Sequence, residues 1–570
     1  MGTRGVGRWW LYAAALAATW CSAPPAWARP ADRRSAPAFA IRGIKGLWWE
    51  GIESYRKALP WLARHRMNFL MYCYSSFPAS GQRWREDYTP SELAAFRDMA
   101  GDARGLGVRL CLSFNPGIWS RPPLVYSDER DYQLALRKVR MVHATGVHWF
   151  ALCLDDIGRE LSASDRQRFG TLAAAQAHFV NRLWRDMATL RPKPVLIFCP
   201  SAYTTADARA HLDYIRAVGG RIDPAVRFFW TGPEVCSPSI TAADARVFAA
   251  WIRRKPIVWD NYPVNDMFPW RPLLAPLRRR SPDLGAEVAG YMANPMRQWE
   301  LSRIPLATTA RYLAAPAAYD PARAGRAALE QFAPADRPAV AALAALYGTS
   351  FWGEPGFPPR PTRCAPPEAL RRLARYQAAR SLLRARPALR DLYAAAEPTL
   401  DEDIRALERM ARPRRERSPL AAEGDEFEGG GGPVFGFNKL GRRVNYVYAR
   451  PTRRDRIQVA FWPHRVPAAG ARLLLTARND DFGTKARIVV SINDWTVFAG
   501  PSPFPSDAFA TRAYPVPAEA LRSGRNLLTI RNLEREGVLG MPPWFMVSEA
   551  RLAIGRGILP RERAAPRRRP

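Results

Sequence analysis

Between Ile41 and Pro295 the chain repeats one local pattern eight times: a short β-branched or aromatic run, a polar loop, then a longer stretch with apolar residues at helical spacing. The strand-like runs are Ile41 to Trp49, Asn68 to Ser75, Arg109 to Phe114, Trp149 to Leu154, Val195 to Cys199, Arg227 to Trp230, Pro256 to Trp259 and Val288 to Ala293. Helical stretches lie between them, such as Pro90 to Arg104, whose Thr89-Pro90-Ser91-Glu92 reads as a helix start, and Asp165 to Leu190. Eight such alternations in about 250 residues is the size of an α/β (β/α)8 TIM barrel, with an open doubly wound sheet as the alternative.

The barrel is placed at 38–300. From Leu301 to Leu420 the chain turns Ala-, Leu- and Arg-rich, with a Pro-rich interruption at 355–367, and reads as a helical domain. After Gly429-Gly430-Gly431-Gly432-Pro433 come alternating runs, Arg456 to Trp462, Arg472 to Arg478, Arg487 to Asn493, Asn526 to Asn532 and Trp544 to Ile554. They predict a C-terminal β-sandwich over 421–556, similar to galactose-binding-like modules, with a basic tail at 557–570. Trp462, Trp495 and Trp544 are expected in its core.

At the start, Arg4 and Arg8 precede an apolar stretch from Trp9 to Trp20 and then Ala26-Trp27-Ala28, the layout of a signal peptide over 1–28. The apolar run is shorter than the roughly 20 residues that cross a bilayer, so the mature chain is expected without a transmembrane segment and secreted or periplasmic. The formal charge of +33 comes mostly from arginine. It favours contact with anionic surfaces such as an acidic polysaccharide, but the arginines are spread over helix faces and loops, so no nucleic-acid partner is expected. Cys73, Cys111, Cys153 and Cys199 sit in apolar runs as small buried hydrophobes. With no C-x-x-C pair and scattered histidines, neither a metal site nor a cofactor is expected.

A barrel of this kind places chemistry at the C-terminal ends of its strands. The polar residues there, with the glycine that ends the first strand, are Gly46, Ser75, Asn115, Asp155, Asp156, Tyr203, Glu234, Asn261, Asp266 and Asn294. The sharpest feature is the apolar run Phe150 to Leu154 ending in Asp155-Asp156. Two adjacent carboxylates repel, which raises one pKa of the coupled pair and lets it hold a proton near neutral pH. In a regular strand the two side chains face opposite ways, so both reach one substrate only where strand gives way to loop. The dipeptide alone reads equally as a helix cap or an acidic turn. Trp259-Asp260-Asn261, Asn265-Asp266 and Asn294-Pro295 supply amides, carboxylates and rings that suit sugars, and singly also suit turns.

Together these words resemble the β-N-acetylglucosaminidases of glycoside hydrolase family 84, which include O-GlcNAc hydrolases and bacterial hyaluronidase-like enzymes. The matching words are Leu154-Asp155-Asp156-Ile157, Phe198-Cys199-Pro200 with Tyr203, Trp230-Thr231-Gly232-Pro233-Glu234-Val235, Trp259-Asp260-Asn261, Asn265-Asp266 and Asn294-Pro295, with Gln176-Ala177-His178 also familiar. The resemblance implies retaining hydrolysis of β-linked N-acetylglucosaminides in which the sugar's own acetamide is the nucleophile and an oxazoline forms, an exception to the two-carboxylate rule. It assigns Asp155 to the acetamide N–H and Asp156 to protonating the leaving oxygen and activating water. It further implies that Cys199, Tyr203 and Trp259 line the acetamide pocket, that Asn261 holds the acetamide, that Asp266 and Asn294 bind ring hydroxyls, and that Gly46 offers a backbone carbonyl. The chain departs from the family at Ser75, where a lysine is usual, and at Trp48-Trp49-Glu50-Gly51, where an aromatic-Gly-Arg-Pro-Trp run is usual.

Three other readings are set against this one. A glycan-binding protein without catalysis is disfavoured by the presence of both carboxylates, and a chitinase-like glycosidase by Ile157, which follows Asp156 where a spaced acidic motif belongs. An arginine-rich polyanion binder would show binding that weakens steeply with salt.

Overall fold

The structure, a computed structural model, describes residues 38–46, 52–118, 120, 122–266, 271–354, 356–359, 361, 364–411, 420–430, 444–463, 465–480, 485–537 and 543–554. The signal segment at 1–28, Trp48 and Trp49, and the tail at 557–570 lie outside them.

Eight parallel strands close into a barrel: β1 (Arg42–Lys45), β2 (Phe69–Tyr72), β3 (Arg109–Phe114), β4 (Trp149–Cys153), β5 (Val195–Cys199), β6 (Arg227–Trp230), β7 (Ile257–Asp260) and β8 (Gly290–Ala293). Closure is direct, with Arg42 of β1 in register with Tyr291 of β8, which excludes the open sheet. The alternation of strand side chains builds two layers of core. Ile41, Phe69, Met71, Cys111, Ala151, Cys153, Ile197, Cys199, Phe229, Ile257, Trp259 and Met292 fill the barrel. Phe150, Leu152 and Leu154 of the β4 segment point the other way, into the layer beneath the helices.

The helix at Pro90–Gly105 starts on a capping box between Thr89 and Glu92. The single helix expected over Asp165 to Leu190 is instead two, Ala163–Phe169 and Leu172–Met187. Gly170 takes φ +70°, ending the first, and the Thr171 hydroxyl caps the second. Between β7 and β8 the described residues hold only a short 3-10 turn at Leu284–Ala286. The helix after β8, Trp299–Ala314, straddles the 300/301 position where the barrel was expected to end.

Further helices run at Pro321–Ala328, Arg337–Tyr347, Pro366–Arg384 and Arg390–Ala411. Two antiparallel sheets follow. One orders Glu428–Gly429, Arg456–Phe461, Asn526–Asn532, Arg487–Ile492 and Trp495–Pro501; the other orders Asn445–Val447, Phe545–Ala553, Ala471–Asn479 and Ala510–Val516, with Ala421–Glu423 also on Phe545–Ala553. They share their own core, while Tyr446, Tyr448 and Trp544 join the cluster of the barrel and helices. Trp462 is half-buried, and two expectations are corrected: Trp544 is buried, but in the cluster of the barrel and helices rather than in the sandwich core, and Trp495 is 48% exposed at the start of an edge strand. No helix among the described residues is long and apolar enough to cross a membrane.

Candidate active site

Strand alternation sends Asp155 into the barrel mouth and would send Asp156 away from it. The backbone breaks that alternation at once: Asp156 sits at φ +53°, the left-handed region that aspartate enters more readily than most residues. Its side chain thereby comes round to the mouth, where Tyr203 donates to Oδ1 at 2.9 Å. Asp155 is buried, and Tyr74 donates to its Oδ2 at 2.9 Å. The other oxygen, Oδ1, is buried without a hydrogen-bond partner among the described residues, an acceptor aimed at whatever enters.

The turn is held from outside. Asn115 donates to the Asp155 carbonyl at 3.0 Å and caps Gly117 and Ile118 through its own oxygen. Ser201 donates to the Leu154 carbonyl at 2.8 Å, and Gln176, fully buried, ties Ser201 to Tyr126 and Tyr214. Asn115 and the Gln176 word therefore fix the end of β4 rather than face its mouth.

Burial, then the adjacent Asp156 charge, pushes the Asp155 carboxyl up to about 7; Lys45 and the Tyr74 hydroxyl pull the other way. Asp156 stands exposed at the rim, yet the surrounding walls push its pKa up too, opposed by Tyr203 and Lys45. The two titrate as one coupled pair that holds a proton near neutral pH. Tyr74, Tyr203, Cys153 and Cys199 are all raised by burial and stay protonated, so the two tyrosines act as donors.

Across the mouth, the Trp259 indole N–H and the Asn294 amide both donate to Asn261 Oδ1, at 3.0 and 2.8 Å. Asn261 in turn donates to the Val235 carbonyl at 2.7 Å. Asn294 Oδ1 is a second buried acceptor without a partner among the described residues. Asp260, between Trp259 and Asn261, points outward into a buried pair with Arg280 at 2.7 Å, and Arg280 also holds the Ser237 and Pro238 carbonyls of the loop after β6. Asp266 lies half-buried near Cys236 of that loop. Glu234 is exposed on the turn closed by Thr231, Gly232 and Ser237. Gly46 must be glycine, since a Cβ there meets the Tyr55 ring at 2.1 Å. Ser75 contacts the Cys73 sulfur at 2.8 Å.

Two residues of the mouth escaped the sequence reading. Tyr74 was hidden in a predicted strand that stops at Tyr72, after which residues 74–76 form a 3-10 turn. Lys45, at the end of β1, is 3% exposed and sits 4.5 Å above the Trp259 ring and 5.6 Å from the Tyr74 ring. A single lysine inside a short apolar strand was the available signal.

A mouth with two acceptors unpartnered among the described residues, a proton-sharing carboxyl pair and aromatic walls suits an amide-bearing sugar. The β-N-acetylglucosaminidase family model matches residues 41–346. The mouse and rat proteins named Protein O-GlcNAcase are each 26% identical over 275 residues, 48% of this chain but 29% of their own length. A mutant O-GlcNAc hydrolase of Thermobaculum terrenum superposes with TM-score 0.58 at 26% identity, over 65% of this chain and 83% of that one. The fold alone is shared with CpGH84B, at 22% identity and TM-score 0.54, over 66% and 68% of the two chains. With that match spanning the whole barrel, this chain belongs to the β-N-acetylglucosaminidase family, glycoside hydrolase family 84.

Proposed function

We propose that the protein is a retaining β-N-acetylglucosaminidase that hydrolyses β-linked N-acetylglucosaminides by substrate-assisted catalysis. The observation that carries this is the geometry at the end of β4, where Asp155 presents a buried, unpartnered oxygen beside an exposed Asp156. In this reading the acetamide N–H donates to Asp155 Oδ1, which orients the carbonyl oxygen toward the anomeric carbon. That oxygen bonds to the anomeric carbon as the glycosidic C–O bond breaks. Asp156 gives its proton to the departing oxygen, and Asp155 balances the positive charge on the oxazoline ring nitrogen. Asp156, now a carboxylate, takes a proton from water as the water attacks the anomeric carbon and reopens the ring. Two inversions at one carbon return the original configuration.

Trp259, Tyr203 and Cys199 wall the acetamide in this reading, Asn261 and Asn294 offer their remaining amide groups, and Asp266 reaches the ring hydroxyls. Gly46 offers its backbone carbonyl to the sugar. The substrates are N-acetylglucosamine-bearing glycans or glycoconjugates, with the +33 charge favouring acidic polysaccharides. The leader at 1–28 sends the chain to the periplasm or out of the cell.

The test is hydrolysis of an aryl β-N-acetylglucosaminide by the mature protein beside Asp155→Asn and Asp156→Asn, with the matching β-glucoside as control. Activity confined to the N-acetyl substrate and lost in both variants supports the reading. A folded but inactive wild type refutes it.

A further inference from the structure

Lys45 is a buried cation of this mouth, and its place is fixed by strand geometry. Ile41 belongs to the barrel interior, so alternation along β1 sends Gly43 and Lys45 inward as well. The side chain is 3% exposed, and its ammonium lies between the rings of Trp259, at 4.5 Å, and Tyr74, at 5.6 Å. Two aromatic faces hold a desolvated cation well. One of those rings is bonded to Asn261 and the other to Asp155. A lysine is seldom this buried without a task.

The groups that face the carboxyl pair come from four strands. They are Lys45 from β1, Tyr74 at the end of β2, Cys153 from β4, and Cys199 and Tyr203 at and after β5. The tyrosines and the Cys153 and Cys199 thiols are driven toward their neutral forms by burial. Lys45 therefore supplies the positive charge that opposes protonation of both carboxyls.

We propose that Lys45 is a positioning residue that keeps one member of the Asp155–Asp156 pair ionised at neutral pH and holds the Trp259 and Tyr74 rings against the site. The proposal rests on the functional reading above and adds to it a determinant of the working pH. A cation on β1 also gives this chain a charge in the mouth that Ser75 does not provide.

The experiment compares the full chain with Lys45→Met and Lys45→Arg by two measurements. The first is kcat and kcat/KM against pH on an aryl β-N-acetylglucosaminide. The second is a carboxyl titration of aspartate-labelled protein by carbon NMR, assigned with Asp155→Asn, which needs no activity. Loss of a nearby opposite charge raises a carboxyl pKa by about 1 pH unit or more. Lys45→Met is therefore expected to move both the acid limb and the carboxyl titration up by about that amount, roughly a tenfold loss of kcat/KM on the acid side. Lys45→Arg is expected to stay near wild type. An unmoved carboxyl titration in folded Lys45→Met overturns the proposal, as does Lys45→Arg shifted as far as Lys45→Met. Should Lys45→Met not fold, Lys45→Gln is held to the same criterion. An inactive wild type counts against the functional reading, and the NMR titration then still decides the role of Lys45.

Discussion

Asp403, far along the chain from the carboxyl pair, is expected to matter to the site through one buried ion pair. It lies on the helix Arg390–Ala411 and receives both terminal nitrogens of Arg271, at 2.5 and 2.6 Å, and the Tyr347 hydroxyl at 2.8 Å. Both charged side chains are nearly inaccessible, at 3% and 1%. The Arg271 carbonyl accepts from Asn265, whose other amide bonds go to Gln298 and the Arg297 N–H, so the pair clamps the segment that carries Asp266. Asp403→Leu leaves the guanidinium buried without its carboxylate, which costs about 3–5 kcal/mol, against about 5–15 kcal/mol for a whole domain. Arg271→Met together with Asp403→Leu replaces both charges by apolar groups and is expected to recover most of that loss. Urea unfolding followed by tryptophan fluorescence, read at the first cooperative transition, gives the double-mutant coupling. A cost below about 1 kcal/mol for Asp403→Leu, or a double variant that loses the sum of the two singles, refutes the argument.

Tyr74→Phe removes the hydroxyl that lowers the Asp155 pKa, so that pKa rises and the acid limb of kcat/KM moves to higher pH. A hydrogen bond to a charged group is worth about 1.5–3 kcal/mol, or about 1 pH unit at least, so activity at pH 7 falls roughly fivefold and recovers above it; an unmoved limb counts against the bond. Gly46→Ala drives a Cβ into the Tyr55 ring, whose hydroxyl also meets Ser76 and the Cys73 N–H, and is expected to cost about 1–3 kcal/mol in urea unfolding and to lower kcat. A near-neutral Gly46→Ala would show that Tyr55 can move aside.

The strands most legible in sequence were those whose ends coincide with a change of period: β3, β5 and β6 run over Arg109–Phe114, Val195–Cys199 and Arg227–Trp230 as read from the residues. The break at Gly170 was passed over because alanine and leucine spacing continues across it, and a single glycine is weak evidence inside a helical pattern. Trp495–Pro501 and Ala510–Val516 were missed because both are edge strands with mostly polar or exposed faces, which blunts alternation. At the site, residues on the far ends of strands were readable by position alone. What position does not reveal is direction: Asn115 turns back to its own loop, Asp260 turns outward to Arg280, and only the left-handed backbone at Asp156 sets it beside Asp155. For Lys45 the sequence offered a lysine in an apolar strand but not its role, because Trp259 and the carboxyl pair lie more than 100 residues away.

The most direct test of the central claim varies the nucleophile itself, by measuring kcat/KM for aryl 2-acylamido-β-glucosides whose acetyl methyl carries none, one, two or three fluorines. Each fluorine withdraws electrons from the carbonyl oxygen. If that oxygen attacks the anomeric carbon with Asp155 holding the N–H, kcat/KM falls steeply and in order along the series, and Asp155→Asn starts from a far lower rate. A flat series, or one in which the 2-hydroxy glucoside is cleaved as fast as the acetamide, would contradict substrate assistance and with it the roles given to Asp155 and Asp156.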